Sequence, residues 1–284
     1  MGAADIIPGV SGGTIALITG IYEELIEAIR SINLRFIIYF FRGFADKSYV
    51  KKSRESLFEI RFPFLISLAL GIGVAFLVLA NILGWLLDQY TSYTYAFFFG
   101  LILSSAVFVY KTSDIVIDSK TVFSLIIGIL SGLFIVGLEA VQAEHSFFIV
   151  FIAGIITFCA MILPGLSGAF ILLILGQYDF MLNVLRRITH LDFSSVWFAI
   201  IYIIGGIIGL VTFSRMLSFL LKSHRMVTLS FIIGLMIGAL RKPAEVIVAS
   251  PENIGIDILV GCIGVVIVGV VGYYDLKKYR EGVD

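Results

Sequence analysis

Eleven residues, Ala4-Asp5-Ile6-Ile7-Pro8-Gly9-Val10-Ser11-Gly12-Gly13-Thr14, return 156 positions later as Ala160-Met161-Ile162-Leu163-Pro164-Gly165-Leu166-Ser167-Gly168-Ala169-Phe170. The match continues through Gly20, Tyr22 and Arg30 against Gly176, Tyr178 and Arg186. Between residues 4 and 32, 13 of 29 positions are identical at that offset. The identities include Pro, Gly, Ser, Tyr and Arg, so a shared apolar composition does not produce them. Both copies sit among apolar residues, and each carries a Pro-Gly pair that a continuous helix does not tolerate. A fold for this chain must use the same break twice.

The surroundings of the breaks are those of a membrane. Apolar residues make up 60% of the chain, charged residues 14%, and the mean hydropathy is +1.07. Soluble domains carry about 25% charged residues, so the chain reads as an integral membrane protein. Its 20 basic and 20 acidic residues balance, which points to no nucleic acid or other polyanionic partner. Cys159 and Cys262 lie in apolar runs and read as small hydrophobes. His145, His190 and His224 show no ligand spacing. No metal and no cofactor are expected.

Residues 14–29 read as an apolar helix ending in Tyr22-Glu23-Glu24. A basic connection follows over 30–61 with eight Lys/Arg, and within it Phe36–Phe41 is too short to span and reads as interfacial. Three spans are expected at about 62–87, 94–110 and 121–138. A broken segment over 147–182 and spans at about 195–221, 227–240 and 255–274 complete the chain. The repeat persists beyond the motif at an offset of 134: Gly71, Leu83, Thr94, Phe97 and Gly100 match Gly205, Leu217, Thr228, Phe231 and Gly234. The expected organisation is therefore two homologous halves, 1–145 and 146–284. In the second copy an apolar limb, 146–160, precedes the motif, and about fifteen equivalent residues are expected ahead of Met1.

The distance from Ser11 to Tyr22 is eleven residues, about 17 Å of helix or half a hydrocarbon core. A hairpin that enters and leaves on one side fits that length and delivers Tyr22-Glu23 to the interface. Each half is then a re-entrant hairpin plus three transmembrane helices. Three crossings per half make the two repeats inverted, with 30–61 on the cytoplasmic side. Lys and Arg then divide fifteen inside against four outside; a fully crossing hairpin gives fourteen against five, so charge alone does not decide. The fold class is all-α and polytopic.

At each break, Ser11 and Ser167 occupy helix N-cap positions, and Gly12, Gly13 and Gly168 leave the next amides uncovered. Half-helix N-termini within a membrane carry partial positive charge and free donors. Two of them at a repeat interface describe a transporter's binding site. The expected anion-binding residues are Pro8, Gly9, Ser11, Gly12, Gly13, Thr14, Pro164, Gly165, Ser167, Gly168 and Ala169. Arg215 is the one clear cation inside a span; its repeat partner is Asn81, and facing the cavity competes with snorkelling to the interface. Asp5 beside the first break is a candidate proton site or partner for Arg215. Glu23 and Asp179 are matched acids that serve as coupling candidates or as plain helix-end charges. Arg30 and Arg186 are matched and interfacial. Gly128/Gly132, Gly205/Gly209 and Gly234/Gly238 have small-xxx-small spacing and are expected to be packing contacts.

The duplicated motif, Ile7-Pro8-Gly9-Val10-Ser11-Gly12-Gly13 and Leu163-Pro164-Gly165-Leu166-Ser167-Gly168, resembles that of the polyprenyl-phosphate transporter family over essentially the whole chain. The resemblance implies a bacterial plasma-membrane, multi-pass flippase. Its implied substrate is undecaprenyl or another polyprenyl phosphate, returned across the bilayer for reuse in cell-wall (peptidoglycan) polymer synthesis. Protons are the candidate coupling ion, and a homo-oligomer is a candidate assembly. The spacing alone says only "anion or anionic lipid". Two alternatives stand beside it: a membrane enzyme like the undecaprenyl-pyrophosphate phosphatases, and a small-anion transporter. The phosphatases also use a Pro-Gly-x-Ser hairpin but continue it into Arg-Ser, where this chain has Gly12-Gly13 and Gly168-Ala169. Without that arginine or a base beside either serine, phosphoryl transfer has little to work with.

Overall fold

A computed structural model of the chain describes residues 1–5, 11–32, 39, 49, 51–52, 59–140, 144–189, 192–249 and 253–281. Pro8 and Gly9 lie outside them. So do most of the connection 30–61, the expected interfacial segment except Tyr39, and the side chains of Asn81 and Arg186. Among the described residues every regular element is a helix. Short helices α1 (Gly2–Asp5), α2 (Gly12–Ile18) and α3 (Tyr22–Arg30) precede α4 (Phe62–Gln89), α5 (Thr91–Thr112) and α6 (Ser119–Val136). The second half runs α7 (Phe147–Ile162), α8 (Gly168–Ile174), α9 (Tyr178–Thr189), α10 (Val196–Ser223), α11 (Arg225–Ala239), α12 (Arg241–Ala249) and α13 (Ile254–Glu281). The bounds of α2 and α8 are 156 residues apart at both ends, and those of α4 and α10 are 134 apart at both ends.

Among the described residues, α5, α6 and α10 are long and apolar enough to cross a membrane. The pair α8–α9, bent by 114°, makes a fourth if taken as one span. Phe62–Ala75, Phe147–Ile162 and Ile254–Val270 are shorter apolar helical stretches. The outer surface fits a bilayer. On α4, Ile66, Leu70, Val74, Val78 and Ile82 recur every fourth residue, each more than half exposed. A stripe of that length facing water would drive association, whereas lipid tails solvate it.

The apolar helix expected over 14–29 is two helices. Gly20 takes φ +70°, and its amide donates to Leu17 O while Ile21 N donates to Ala16 O. Gly176, at φ +65°, does the same: its amide donates to Leu173 O and Gln177 N to Leu172 O. Both are Schellman closures, in which a left-handed glycine ends the helix and its last carbonyls find new donors. In the second half, α11 also stops where α5 runs on, because Pro243 has no N–H for the Ala239 carbonyl.

Glycine sets the spacing of the helix pairs. A Cβ at Gly128 would overlap the Phe231 carbonyl, and one at Gly234 would overlap the Leu125 carbonyl, so α6 and α11 touch backbone to backbone. Gly100 and Gly264 bring α5 against α13 in the same way, and Gly205 and Gly209 bring α10 against Phe151 and Ile155 of α7. All three expected glycine pairs are packing contacts. Alanine at Gly234 is expected to push α6 from α11 and lower the free energy of unfolding by about 1–3 kcal/mol, measurable by unfolding in mixed micelles. Within each pair the helices run the same way. Phe147 stacks on Phe198 at 4.4 Å at the start of α7 and α10, and Gly154 meets Tyr202 further along. The buried core joins the halves, with Tyr22 and Ile26 of α3 against Ile102 of α5 and Ile232 and Met236 of α11.

Candidate functional site

The two motif copies meet tip to tip. The incoming helix α7 ends at Ile162 because Pro164 cannot donate and Gly165 turns the chain at φ +87°. That leaves carbonyls at the break in need of donors, and side chains of the first copy supply them. Ser11 Oγ donates to Leu163 O at 3.1 Å and Tyr22 OH donates to Ile162 O at 3.2 Å. In return, Gly165 N donates to Thr14 Oγ1 at 3.0 Å. Ser11, Thr14, Tyr22 and Ser167 are all buried. Gly13 is required by proximity, since a Cβ there would lie 2.8 Å from Ile162 O and 3.3 Å from Pro164 N.

The half-helix termini are not equivalent. Ser11 caps α2 from an extended backbone (φ −122°, ψ 131°), and its Oγ accepts from Gly13 N at 3.1 Å. The Gly12 amide is taken by a carboxylate: it donates to Asp5 Oδ1 at 2.8 Å. Ser167 has the same extended backbone (φ −93°, ψ 126°), but its side chain makes no capping bond. Met161 stands at Asp5's position and packs toward Gly168, within 2.7 Å of where a Cβ would sit. Among the described residues the first-turn amides of α8 thus lack a side-chain cap. Pro164, Gly165, Ser167 and Gly168 are buried and Ala169 partly so.

Other residues singled out in the sequence lie away from the tips. Arg215 is exposed, and its Nη2 donates to Ile32 O at 3.2 Å, just beyond the C-terminus of α3. Glu23 pairs with Arg225 at 2.8 Å, and Asp179 is exposed in the first turn of α9. Arg30 pairs with Glu27 at 3.2 Å within α3. Among the described residues no group of three or more His, Cys, Asp or Glu could hold a metal.

Two residues take places that the sequence did not indicate. Tyr22, expected at the interface, is buried with its hydroxyl on the opposite break. Asp257 is buried one turn inside α13 and accepts from Ser92 Oγ at 2.9 Å. An isolated acid in an otherwise apolar run was its only signal.

Ion pairs tie α3 to the end of α10. Lys222 Nζ lies 2.7 Å from Glu27 Oε1, which also accepts from Ser218 Oγ at 2.9 Å. The Lys222 hydrogen bond, aided by Ser218 and Arg30, holds the Glu27 carboxyl below its ordinary value. A depressed carboxylate stabilises the fold above its unfolded value and loses that contribution as pH falls through the folded value. The difference in melting temperature between the native chain and Glu27→Gln is therefore expected to be full at neutral pH. It should fade as pH drops below about 4.

Comparison with known proteins follows the same lines. A family profile described as undecaprenyl phosphate translocase-like matches residues 1–250. The chain belongs to that family. It is 40% identical over 246 residues to a polyprenyl-phosphate transporter of Vibrio cholerae serotype O1, covering 85% of this chain and 74% of the relative. It is 30% identical over 251 residues to a polyprenyl-phosphate transporter of Staphylococcus aureus, covering 84% and 81%. No solved structure matches it. Family and relatives are described as translocases and transporters, so the chain is not a member of an enzyme family and the phosphatase alternative falls away. It is a membrane protein of a transporter family.

Proposed function

We propose that the chain is a flippase that carries polyprenyl phosphate, with undecaprenyl phosphate as the natural case. It would move the lipid across the bacterial plasma membrane for reuse in cell-wall polymer synthesis. The observation that carries this reading is the buried clasp between the two motif copies, at whose first tip the chain already seats a carboxylate on a backbone amide. A group that holds Asp5 there has the donors and polarity to hold a phosphate. Membership in the family, and the names of both relatives, favour a lipid phosphate over a small anion.

In this reading each half is a re-entrant hairpin followed by three crossings, and the halves are inverted. The parallel packing of α7 and α10 supports it: both begin at the same end, so residues 163–195 must bring the chain back. The headgroup binds between the tips, on Ser11, Gly12, Gly13 and Thr14 of one copy and Ser167, Gly168 and Ala169 of the other. Pro164 and Gly165 hold the second break open. Arg215 meets the phosphate at the entrance beside α3 rather than at the tips, and the tail stays in lipid. Protonation of Asp5 frees the Gly12 amide for the headgroup, while Glu23 and Asp179 act at the two surfaces. Equal transport with and without a pH gradient would remove the proton from this scheme.

Binding of farnesyl phosphate to the purified protein tests the site, with farnesol as the uncharged control. The reading expects farnesyl phosphate to bind, farnesol not to compete, and Ser11→Ala/Ser167→Ala to lose binding. Inorganic phosphate binding as tightly as farnesyl phosphate would favour a small-anion carrier instead.

A further inference from the structure

We propose that the face of α4 centred on Gly71 is a docking groove for one further apolar helix, which leads into α1 as α7 leads into the second break. At the offset of 134, α4 and α10 correspond along their whole length, which sets Phe64, Leu68, Gly71, Ile72 and Ala75 beside Phe198, Tyr202, Gly205, Gly206 and Gly209. On α10 those five residues seat α7. Phe198 stacks on Phe147, Tyr202 meets Gly154, and Cβ atoms at Gly205 and Gly209 would overlap the Phe151 and Ile155 carbonyls.

Only the end of that seat is filled on α4. Gly2 stands 156 residues before Phe158, so α1 is the counterpart of the last turn of α7. It docks in the corresponding place. A Cβ on Gly2 would lie 2.7 Å from Ile72 O and 2.9 Å from Ala75 Cβ, while on α10 the Phe158 ring fills the place of a Gly206 Cβ. Bulk has changed sides and the fit is kept: Phe on Gly in one half, Gly on Ile in the other. One turn before Ala75 the seat is empty. Gly205 is buried under α7, whereas Gly71 is exposed, and among the described residues a Cβ there would meet nothing within 4 Å.

Glycine weakens a helix interior and compensates where a second backbone comes close. Gly205 has that second backbone and Gly71 lacks it, so the notch fits a helix better than a lipid tail. Gly73, on the opposite side of α4, is also open, but its counterpart Ile207 is itself exposed on α10, and the repeat asks for nothing there. No charged residue lies between Phe64 and Ala75, so the occupant is apolar. Continuity with α1 fixes where it ends, and the parallel packing of α7 on α10 fixes its direction.

The test fuses a copy of residues 146–156 of this chain directly ahead of Met1, so that it enters α1 at the spacing α7 uses. In mixed micelles the extended chain is expected to melt about 5 °C above the chain without the copy. Gly71→Leu should abolish that gain by filling the notch, and Gly73→Leu should leave it intact. Because Ala75 carries a methyl where Gly209 has none, the same comparison is made in Ala75→Gly. A gain absent from both backgrounds, or one that survives Gly71→Leu, overturns the proposal and leaves the face to lipid. A dimer of the unextended chain that Gly71→Leu disperses, read by light scattering, also overturns it and gives the face to a second copy. Every readout is a melting temperature or a mass, so failure here leaves the flippase reading standing.

Discussion

Alanine in place of Gly165 is expected to lower the free energy of unfolding by about 2–5 kcal/mol and to abolish transport. Two effects add. The backbone at φ +87° is one that residues with a Cβ adopt at a cost of about 1–2 kcal/mol. The new methyl would also lie 2.9 Å from Met236 Cα and 3.2 Å from its amide nitrogen, and overpacking of that kind costs about 1–3 kcal/mol. Met236 is fully buried and cannot retreat without moving α11. The Gly165 amide that meets Thr14 would move with the backbone, so the clasp loosens as the protein destabilises. Unfolding in mixed micelles reads the first effect and proteoliposome transport the second. Unchanged stability would mean that α11 yields there.

Valine at Thr14 is expected to do comparable damage with almost no change of shape. It leaves the buried Gly165 amide without its acceptor, a loss of about 1–3 kcal/mol. Ser11→Ala removes the donor to Leu163 O and the acceptor for Gly13 N together, with a similar loss. Both residues hold one short segment, 163–165, so the two effects should not add. The double variant is expected to lose less than the sum of the singles by about 0.5–3 kcal/mol. Strict additivity would show that the two bonds act independently and that the tips are not one unit. Measured as a double-mutant cycle, the coupling is also insensitive to any uniform weakening of the protein in detergent.

The break itself was legible because Pro, Gly and Ser are chemically specific and the chain spells them twice. The membrane character followed from apolar content, and the glycine contacts from their spacing. Helix ends were harder. Gly20 and Gly176 are shared between the copies, yet a lone glycine inside an apolar run is tolerated in membrane helices, so its left-handed turn does not announce itself. Arg215 could face either way from sequence, because a stem that long reaches the interface from several residues inside. Asp5 was readable as an acid beside the break, but its bond to Gly12 depends on α1 folding back on α2, which spacing alone does not dictate. Tyr22 was placed by assuming a straight helix, and the Gly20 turn redirects it to the opposite break. Asp257 was not legible as a paired group, since its partner is a serine 165 residues away in sequence.

The measurement that tests the central claim most directly is transbilayer movement of a labelled polyprenyl phosphate in proteoliposomes. Released phosphate should be assayed in the same vesicles, with the native chain beside Ser11→Ala/Ser167→Ala. Movement without phosphate release, lost in the double variant while the protein remains folded, is the predicted result. Movement that persists undiminished in a folded double variant would contradict the paired motifs as the site of headgroup binding.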